Sequence, residues 1–292
     1  MATTTTTREN ADADGILIET RTSDGITTIG INRPHRKNAI NPPTAKKLYE
    51  AFLDFESDPQ QKVCVLHGVG GTFSAGFDLS ELIEWDRPAP MSRDTSDDRC
   101  TQRSDSITRS KFRPVKGRNA GPLGPSRMQI SKPVICAVSG HCVAGGLELS
   151  LIADMRVVED DVVFGVFSRR FGIPLLDGGT VRLPAVIGLG RAMDITLTGR
   201  PVGAHEAFHM GLANRLVPKG QAYQEAMKLA ELLVSFPQEC LNADRDSCYY
   251  AAYHAQSLED ALSYEFEGGV KVADLAIRDA LKFVRGKRQS KL

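Results

Sequence analysis

Short apolar runs alternate with longer stretches of helical spacing along this chain, and this alternation predicts an α/β fold. The runs 63–67 and 134–138 are almost wholly apolar, which is typical of strands buried on both faces of a parallel sheet. Before the first of these runs, Leu48, Phe52 and Phe55 recur every three or four residues. One face of a helix there is therefore predicted to be buried.

The same pattern divides the chain into three regions. Residues 1–14 are rich in threonine and poor in apolar side chains, so we expect a flexible tail. Residues 15–220 are predicted to form the core domain, which starts with a hairpin that turns at residues 23–25. Within it, the Pro-, Ser- and Arg-rich stretch 87–127 is predicted to be a variable loop, either a solvated surface or a flap over a ligand pocket. Residues 221–292 are predicted to be a helical region.

Composition narrows the class of protein. The 292 residues include 36 Lys plus Arg and 36 Asp plus Glu, and this neutrality gives no reason to expect a nucleic-acid partner or an anionic membrane surface. No apolar run approaches the ~18 to 20 residues that a membrane-spanning helix needs. The six cysteines and six histidines lack the spacing of a metal site, so no metal is predicted. Free thiols favour a reducing compartment.

The last three residues, Ser290-Lys291-Leu292, match a peroxisomal address. An import receptor reads this tripeptide at the C-terminus of a protein. A merely solvated basic tail is the alternative interpretation. The sequence therefore predicts a peroxisomal location, with the import receptor as a partner.

Two glycine-bearing turns, at residues 73–78 (FSAGFD) and 143–148 (VAGGLE), carry the strongest chemical signal. Each follows one of the predicted parallel strands and precedes a stretch of helical spacing. At the carboxyl ends of such strands, the N–H groups of a helix start have no backbone acceptor. Two such turns that face one point would form an oxyanion hole, with Glu148 beside it.

These turns and their flanks resemble the crotonase superfamily, which includes enoyl-CoA hydratases and isomerases. The resemblance extends over roughly residues 15–220, and its further motifs follow in the family's order. They are Ile31-Asn32-Arg33-Pro34, Asn38-Ala39-Ile40-Asn41, Lys132-Pro133-Val134-Ile135, Gly178–Pro184, Leu197–Arg200 and Gly211–Val217. The resemblance implies the crotonase (ClpP-like) spiral of ββα units, with a C-terminal helical region that assembles a homotrimer or a dimer of trimers.

The resemblance also implies a reaction intermediate. Crotonases hold the oxyanion of a thioester enolate with two backbone N–H groups, each of which contributes roughly 3 to 4 kcal/mol. By motif, these donors fall on Phe77 and Gly145. Glu148 coincides with one of the two catalytic glutamates of the hydratases, which implies that it deprotonates the water added across the double bond. No cofactor is implied beyond the coenzyme A of the substrate.

The second glutamate of the hydratases falls on Ser168, which has no carboxyl group. A carboxylate does occur nearby at Asp177, within one residue of the aspartate of dienoyl-CoA isomerases and hydroxyacyl-CoA hydrolases of this superfamily. Asp177 is therefore either a partner of Glu148 in proton transfer or an ordinary turn residue. Arg169 and Arg170 follow Ser168. They either form ion pairs with Asp177 or with a substrate carboxylate, or they have a structural role.

Coenzyme A carries several phosphates, and a local basic cluster suits such a ligand on a neutral protein. The loop after the Asn-Arg-Pro motif contains such a cluster. The alternative interpretation is that this loop is only a solvated charged surface. The residues expected to contact the coenzyme A moiety are His35, Arg36, Lys37, Ala75, Asp78 and Leu79.

The sequence thus favours an enoyl-CoA hydratase of peroxisomal fatty-acid or specialised acyl-CoA metabolism. Ser168 stands where the hydratases have their second glutamate, so a second carboxylate is missing there. The alternative is therefore an enoyl- or dienoyl-CoA isomerase, or an acyl-CoA hydrolase, that uses Glu148 with Asp177. A catalytically weak scaffold that binds coenzyme A is a third hypothesis.

Overall fold

The computed structural model describes residues 5–9, 17–86 and 113–284. The strands are β1 (Thr5–Glu9), β2 (Leu17–Thr22), β3 (Ile26–Ile31), β4 (Val63–Gly68), β5 (Val134–Val138), β6 (His141–Val143), β7 (Met155–Glu159), β8 (Val163–Gly165), β9 (Val202–Gly203) and β10 (Arg215–Val217). The α-helices are α1 (Pro42–Ser57), α2 (Ser80–Asp86), α3 (Gly145–Ser150), α4 (Gly179–Ile187), α5 (Leu189–Thr198), α6 (Ala204–His209), α7 (Ala222–Val234), α8 (Gln238–Tyr253) and α9 (Leu258–Val284).

Strands and helices alternate around two sheets, as the sequence predicts for an α/β protein. The larger sheet has the strand order β1-β2-β3-β4-β5-β7-β10, and the smaller one has the order β6-β8-β9. From β3 to β10 the neighbouring strands of the larger sheet are parallel. Their carboxyl ends therefore share one edge. The 73–78 turn follows β4 there, whereas the 143–148 turn follows β6 of the smaller sheet, which comes directly after β5 in the chain.

The N-terminal region agrees with the prediction in one part and differs in another. The predicted hairpin is confirmed, because β2 and β3 pair antiparallel around the turn at residues 23–25. Residues 1–14 are expected to be a flexible tail, but Thr5–Glu9 forms a strand that pairs with β2. Threonine is β-branched and favours extended backbone. A polar run can therefore extend the sheet edge although it has no apolar face to bury.

Alternation along the central strands directs side chains into two separate cores. Val63 and Val65 of β4 pack in the core that α7 covers with Ala226. Cys64 and Leu66 point the other way, into the larger core that contains α1 and the small sheet. Because the side-chain period of a strand is two residues, both faces of β4 must be apolar. This burial explains the nearly continuous apolar run in the sequence.

The described parts of the chain also bear on the compartment and membrane predictions. Their cysteines are free thiols, and Cys64, Cys136 and Cys142 are buried in strands. No helix within these parts combines the length and the apolar character needed to cross a bilayer.

Candidate active site

The two glycine-bearing turns meet at the carboxyl edge of the larger sheet. Ser74 pairs with Cys142 in a parallel bridge, which brings the turns side by side. Gly76 then approaches Gly145 so closely that a Cβ on Gly76 would lie 2.6 Å from the Gly145 nitrogen. Gly76 also has a φ of 90°, in the left-handed region that favours glycine. This position therefore excludes any larger residue.

The hydrogen bonds of Gly76 and Asp78 fix the direction of the Phe77 N–H, and the start of helix α3 fixes that of the Gly145 N–H. Gly76 O accepts a hydrogen bond from Ile40 N at 2.7 Å, and Asp78 N donates to Ile40 O at 3.0 Å. Successive N–H groups of extended backbone point to opposite sides, so the Phe77 N–H points away from Ile40. Gly145 is the first residue of α3, where an N–H has no intrahelical acceptor.

Both residues line a cavity of about 730 Å³. Its polar side chains are Glu148, Ser168 and Asp177. Its apolar wall is formed by Phe77, Leu79, Leu82, Pro122, Leu123, Val143, Phe167, Phe171, Ile173, Pro174 and Leu176. Part of the predicted loop 87–127 thus contributes to the wall, and residues 87–112 of that loop lie outside the described residues.

Glu148 lies in the first turn of α3, and its carboxyl group is held by backbone donors. Its Oε1 accepts hydrogen bonds from Asp177 N at 3.0 Å and Gly179 N at 2.9 Å. A Cβ on Gly179 would lie 2.8 Å from Glu148 Cγ, so glycine is needed at 179 for this approach. Burial, and then the negative charge of Asp177, raise the pKa of Glu148 to about 7. The carboxyl group is thus suited to exchange protons near neutral pH.

Asp177 lies in the cavity wall and also accepts hydrogen bonds from a distant segment, and its part in proton transfer stays a prediction. Its carboxyl group lines the cavity, and its Oδ1 accepts hydrogen bonds from Leu123 N at 3.0 Å and from the Ser126 hydroxyl. Burial raises the pKa of Asp177, although these two donors oppose the shift. The side chain therefore ties the 121–130 segment to the wall beside Glu148 while it keeps a carboxyl group in the cavity.

Of the alternatives that the sequence leaves open for Arg169 and Arg170, pairing with Asp177 is wrong. A contact with a substrate carboxylate stays a prediction. Arg169 Nε donates to Thr196 O at 3.3 Å, and the Arg170 guanidinium lies 3.9 Å from the ring centroid of Phe167. Both residues are exposed, and the short 3-10 helix Phe167–Phe171 that contains them buries only Ser168. The tertiary structure, rather than nearness in the sequence, therefore determines which cations lie near Asp177.

Two cations act on the Asp177 carboxyl group, Arg127 and then Arg182, and neither is among the site residues predicted from the sequence. Arg182 is half-buried. Its guanidinium donates to Ser126 O at 2.7 Å and to Met128 O at 3.1 Å. Its charge also favours the ionised forms of Glu148 and Asp177. A signal was present, because Arg182 belongs to the Gly178–Pro184 motif.

Ser168 faces the same cavity but has no partner for its hydroxyl group. Ser168 is only 8% exposed, and its Oγ makes no hydrogen bond within the described part of the chain. The sequence marks this position only by the absence of a second glutamate.

The predicted coenzyme A residues lie at one side of the cavity. His35, Arg36 and Lys37 form an exposed turn, and Lys37 O accepts a hydrogen bond from Ala75 N at 3.0 Å. Ala75 and Leu79 line the cavity itself. The basic turn therefore borders the wall that these residues form.

Asp78 has partners within the protein. Its carboxylate accepts hydrogen bonds from Arg33 Nη1 at 3.0 Å and from Ser80 Oγ at 2.7 Å. Burial opposes its ionisation, but the Ser80 and Arg33 donors together hold the pKa of Asp78 below its ordinary value. These contacts stabilise the 73–78 turn, and a contact of Asp78 with coenzyme A stays a prediction.

The described residues contain no group of three or more His, Cys, Asp or Glu side chains that could hold a metal ion. The described lining of the cavity offers carboxyl groups and backbone N–H groups beside an apolar wall. Such a site can polarise a carbonyl group and transfer a proton beside it.

Comparison with known proteins places this site in a family. The sequence profile described as Enoyl-CoA hydratase/isomerase matches residues 21–106 and 122–267. A carnitinyl-CoA dehydratase of Escherichia coli O157:H7 is 31% identical over 248 residues, which cover 84% of each chain. Enoyl-CoA hydratase EchA19 of Mycobacterium tuberculosis is 33% identical over 224 residues, which cover 74% of this chain and 73% of the relative.

Solved structures agree with this assignment. The crystal structure of an enoyl-CoA hydratase from Mycobacterium tuberculosis H37Rv superposes with a TM-score of 0.77 at 28% identity, covering 94% of this chain and 98% of that one. Fold and site together define a crotonase-fold enzyme of acyl-CoA metabolism. This chain belongs to the enoyl-CoA hydratase/isomerase family.

Proposed function

We propose that this enzyme hydrates the α,β double bond of an enoyl-CoA thioester. The observation that carries the proposal is that Glu148, Phe77 and Gly145 line one cavity, where the Phe77 N–H is directed away from Ile40 and Gly145 begins a helix. The names of the relatives agree, because dehydration and hydration are the two directions of one reaction. One carboxyl group with a pKa near neutrality can serve both directions.

The proposed steps use the carboxyl group of Glu148 as base and then as acid. Glu148 takes one proton from a water molecule, whose oxygen forms a bond to the β-carbon. The electron pair of the double bond moves to the thioester oxygen, where Phe77 N–H and Gly145 N–H stabilise the enolate. The enolate re-forms the carbonyl group when the α-carbon takes the proton back from Glu148. Water is added, and no other reactant is consumed.

Isomerisation of an enoyl- or dienoyl-CoA is the second candidate reaction. Asp177 favours it, because its carboxyl group lines the cavity with that of Glu148 and the pKa values of both are raised. One carboxyl group would remove a proton from carbon, and the other would return a proton at a different carbon.

Product analysis of a thioester panel tests the proposed function. We expect mass spectrometry to show that the enoyl-CoA substrate gains one water. A product of unchanged mass would instead assign isomerisation, and release of free coenzyme A would assign hydrolysis. Tight acyl-CoA binding without turnover across the panel would leave the scaffold hypothesis.

The pH dependence of the reaction should report the coupling between the two carboxyl groups. Glu148 acts as a base only when it is deprotonated, so kcat/KM for hydration is expected to rise with pH up to about 7 and then level off. Asp177→Asn removes a negative neighbour and should move this midpoint to lower pH. Steady-state kinetics from pH 5 to pH 9 measure both profiles. Asp161→Asn, at an exposed site, is the control, and an unmoved midpoint in Asp177→Asn would contradict the coupling.

The coenzyme A moiety is proposed to lie along the basic turn. His35, Arg36 and Lys37 are exposed there and border Ala75, which lines the cavity. This placement would leave the acyl group in the apolar cavity and the phosphates in contact with cations at the surface.

The C-terminal helices are proposed to assemble a homotrimer or a dimer of trimers. Helix α9 exposes apolar side chains at four-residue intervals, among them Leu258 and Phe266 at 76% and 72%. Helix α8 buries none of its residues, yet Arg245 Nη1 and Nη2 lie away from solvent without a hydrogen-bond acceptor in the described chain. Large exposed apolar side chains that recur along one helix are typical of a subunit interface, and an unpaired polar group such as that of Arg245 calls for an explanation.

A charge on the exposed stripe of α9 should weaken this assembly. Phe266→Asp would place a carboxylate in the proposed interface, so we expect sedimentation velocity to show a shift towards the monomer. Lys271→Asp, on the same helix, is the control and should sediment as the unmodified protein does. A monomeric unmodified protein would contradict the proposed assembly.

The proposed location is the peroxisome, through Ser290-Lys291-Leu292. These residues lie outside the described part of the chain. A fluorescent protein fused to the N-terminus should accumulate in peroxisomes, and removal of the tripeptide should leave it diffuse. Equal distribution of the two fusions would contradict import through this tripeptide.

A further inference from the structure

Arg182 is a cation near Glu148 that belongs to a different cavity. It lies in the first turn of α4, which begins at Gly179. Together with Tyr249 and Tyr253 of α8, it lines a cavity of about 450 Å³, whereas Glu148 lines the cavity of about 730 Å³. Within the described residues, Arg182 is therefore not part of the surface that a substrate beside Glu148 contacts.

The guanidinium group of Arg182 joins two segments of backbone. Its Nη1 donates to Ser126 O at 2.7 Å and to Asp177 O at 3.3 Å, and its Nη2 donates to Met128 O at 3.1 Å. A Cβ on Gly178 would collide with Nη1, so the guanidinium group lies directly against this backbone. A planar guanidinium can serve several acceptors in fixed directions, which a lysine ammonium does not reproduce.

One of these two segments is the one that holds Glu148. Glu148 Oε1 accepts hydrogen bonds from Asp177 N at 3.0 Å and from Gly179 N at 2.9 Å. The backbone of Asp177 thus contacts Arg182 with its carbonyl group and Glu148 with its N–H. A shift of this backbone would move both donors away from the carboxyl group. An acid–base group must lie within hydrogen-bond reach of the proton that it transfers, so its position matters for the reaction.

The charge of Arg182 acts on Glu148 as well. Burial, and then the negative charge of Asp177, raise the pKa of Glu148, whereas its two N–H donors and the charge of Arg182 lower it. Burial lowers the pKa of Arg182, but a guanidinium group stays protonated at neutral pH. Arg182 therefore favours the carboxylate form of Glu148, which is the form that can take a proton from water.

We infer, resting on the proposed function, that Arg182 is a positioning residue that fixes the 177–179 backbone against the Glu148 carboxyl group. It holds the two N–H donors in place and supplies a positive charge behind them. Because Arg182 lines the other cavity, it acts on kcat rather than on substrate binding.

Two substitutions separate the contributions of geometry and charge. Arg182→Lys keeps the charge but loses the fork that serves three carbonyl groups, and Arg182→Gln loses the charge as well. We expect both variants to lower kcat by about tenfold to hundredfold with little change in KM, because the carboxyl group is misplaced. Only Arg182→Gln should raise the pH at which Glu148 titrates.

Arg191→Gln is the matched control. Arg191 Nη1 donates to Met210 O at 3.4 Å, so this variant also removes an arginine–carbonyl hydrogen bond, but not one to the 126–128 or 177–179 segments. It should change neither kcat nor the titration of Glu148. Thermal unfolding of each full-length variant establishes that it is folded at the temperature of the assays.

The titration of Glu148 can be measured without turnover. Carbon-13 NMR of protein labelled at the glutamate carboxyl groups reports it, and the Glu148 signal is the one absent from Glu148→Gln. We expect a midpoint of about 7 in the unmodified protein, a higher one in Arg182→Gln, and one close to the unmodified value in Arg182→Lys. Steady-state kinetics with an enoyl-CoA give kcat and KM for the same proteins.

An unmoved midpoint in Arg182→Gln, or an unchanged kcat in Arg182→Lys, would overturn the inference. An equal loss of kcat in Arg191→Gln would also overturn it. Arg182→Lys decides the positional part even if Arg182→Gln does not fold. Failure of the proposed function gives a different result, because a protein whose Glu148 titration depends on Arg182 but that does not hydrate enoyl-CoA would refute hydration alone.

Discussion

Glu148→Gln is expected to lower kcat for enoyl-CoA hydration by about 10²- to 10⁴-fold. Glutamine has the size of glutamate, and its amide oxygen can accept the hydrogen bonds from Asp177 N and Gly179 N that Oε1 accepts. The side chain should therefore stay in place. An amide does not take a proton from water at neutral pH, so the proton transfer is lost while the geometry is kept.

The matched control for this variant is Glu50→Gln. Glu50 is an exposed residue of α1 whose ion pair with Lys46 is 3.8 Å long, and such surface pairs contribute little to stability. Both variants should unfold at temperatures close to that of the unmodified protein, and only Glu148→Gln should lose activity. Equal activity of Glu148→Gln and Glu50→Gln would remove Glu148 from the proposed mechanism.

Gly76→Ala is expected to lower kcat by about 10²- to 10³-fold. The new Cβ would lie 2.6 Å from the nitrogen of Gly145, well inside contact distance, so the two turns must separate. The N–H groups of Phe77 and Gly145 would then no longer converge on one oxygen. Loss of one such donor costs roughly 3 to 4 kcal/mol of transition-state stabilisation.

Gly71→Ala separates this effect from backbone strain. Gly71 has a φ of 78°, close to the 90° of Gly76, so alanine should be strained at both positions. A Cβ on Gly71 would meet no atom within 4 Å, however. We expect both variants to lose thermal stability, Gly76→Ala more so because of its contact with Gly145, and a loss of kcat from Gly76→Ala alone. Matching losses of kcat would show that strain, rather than the contact with Gly145, limits the reaction.

Much of the fold follows from periodicity. The two-residue alternation of a strand and the three- to four-residue spacing of a helix are local properties, so β4, β5 and α1 are predictable from their own residues. The strand Thr5–Glu9 is not, because its threonines show a preference for extended backbone but no apolar face. Only the neighbouring strand β2 determines that this run joins the sheet.

The candidate site divides in the same way. The turns around Gly76 and Gly145, and the position of Glu148 in the first turn of a helix, are local features that sequence motifs mark. The contacts of Asp177 are not local, because Ser126 is 51 residues away along the chain. Arg169 and Arg170 do not make the pairing with Asp177 that was one of their alternatives, since nearness in sequence does not fix the direction of a side chain.

The sequence by itself determined the α/β class, the two turns and the family to which they point, since all of these depend on residue types at short spacing. Only the tertiary structure decided the pKa of Glu148 and the isolation of the Ser168 hydroxyl. Both depend on burial and on which distant groups come within a few ångströms. Desolvation and Coulomb interactions are set by distance in space, and the folded chain alone defines that distance.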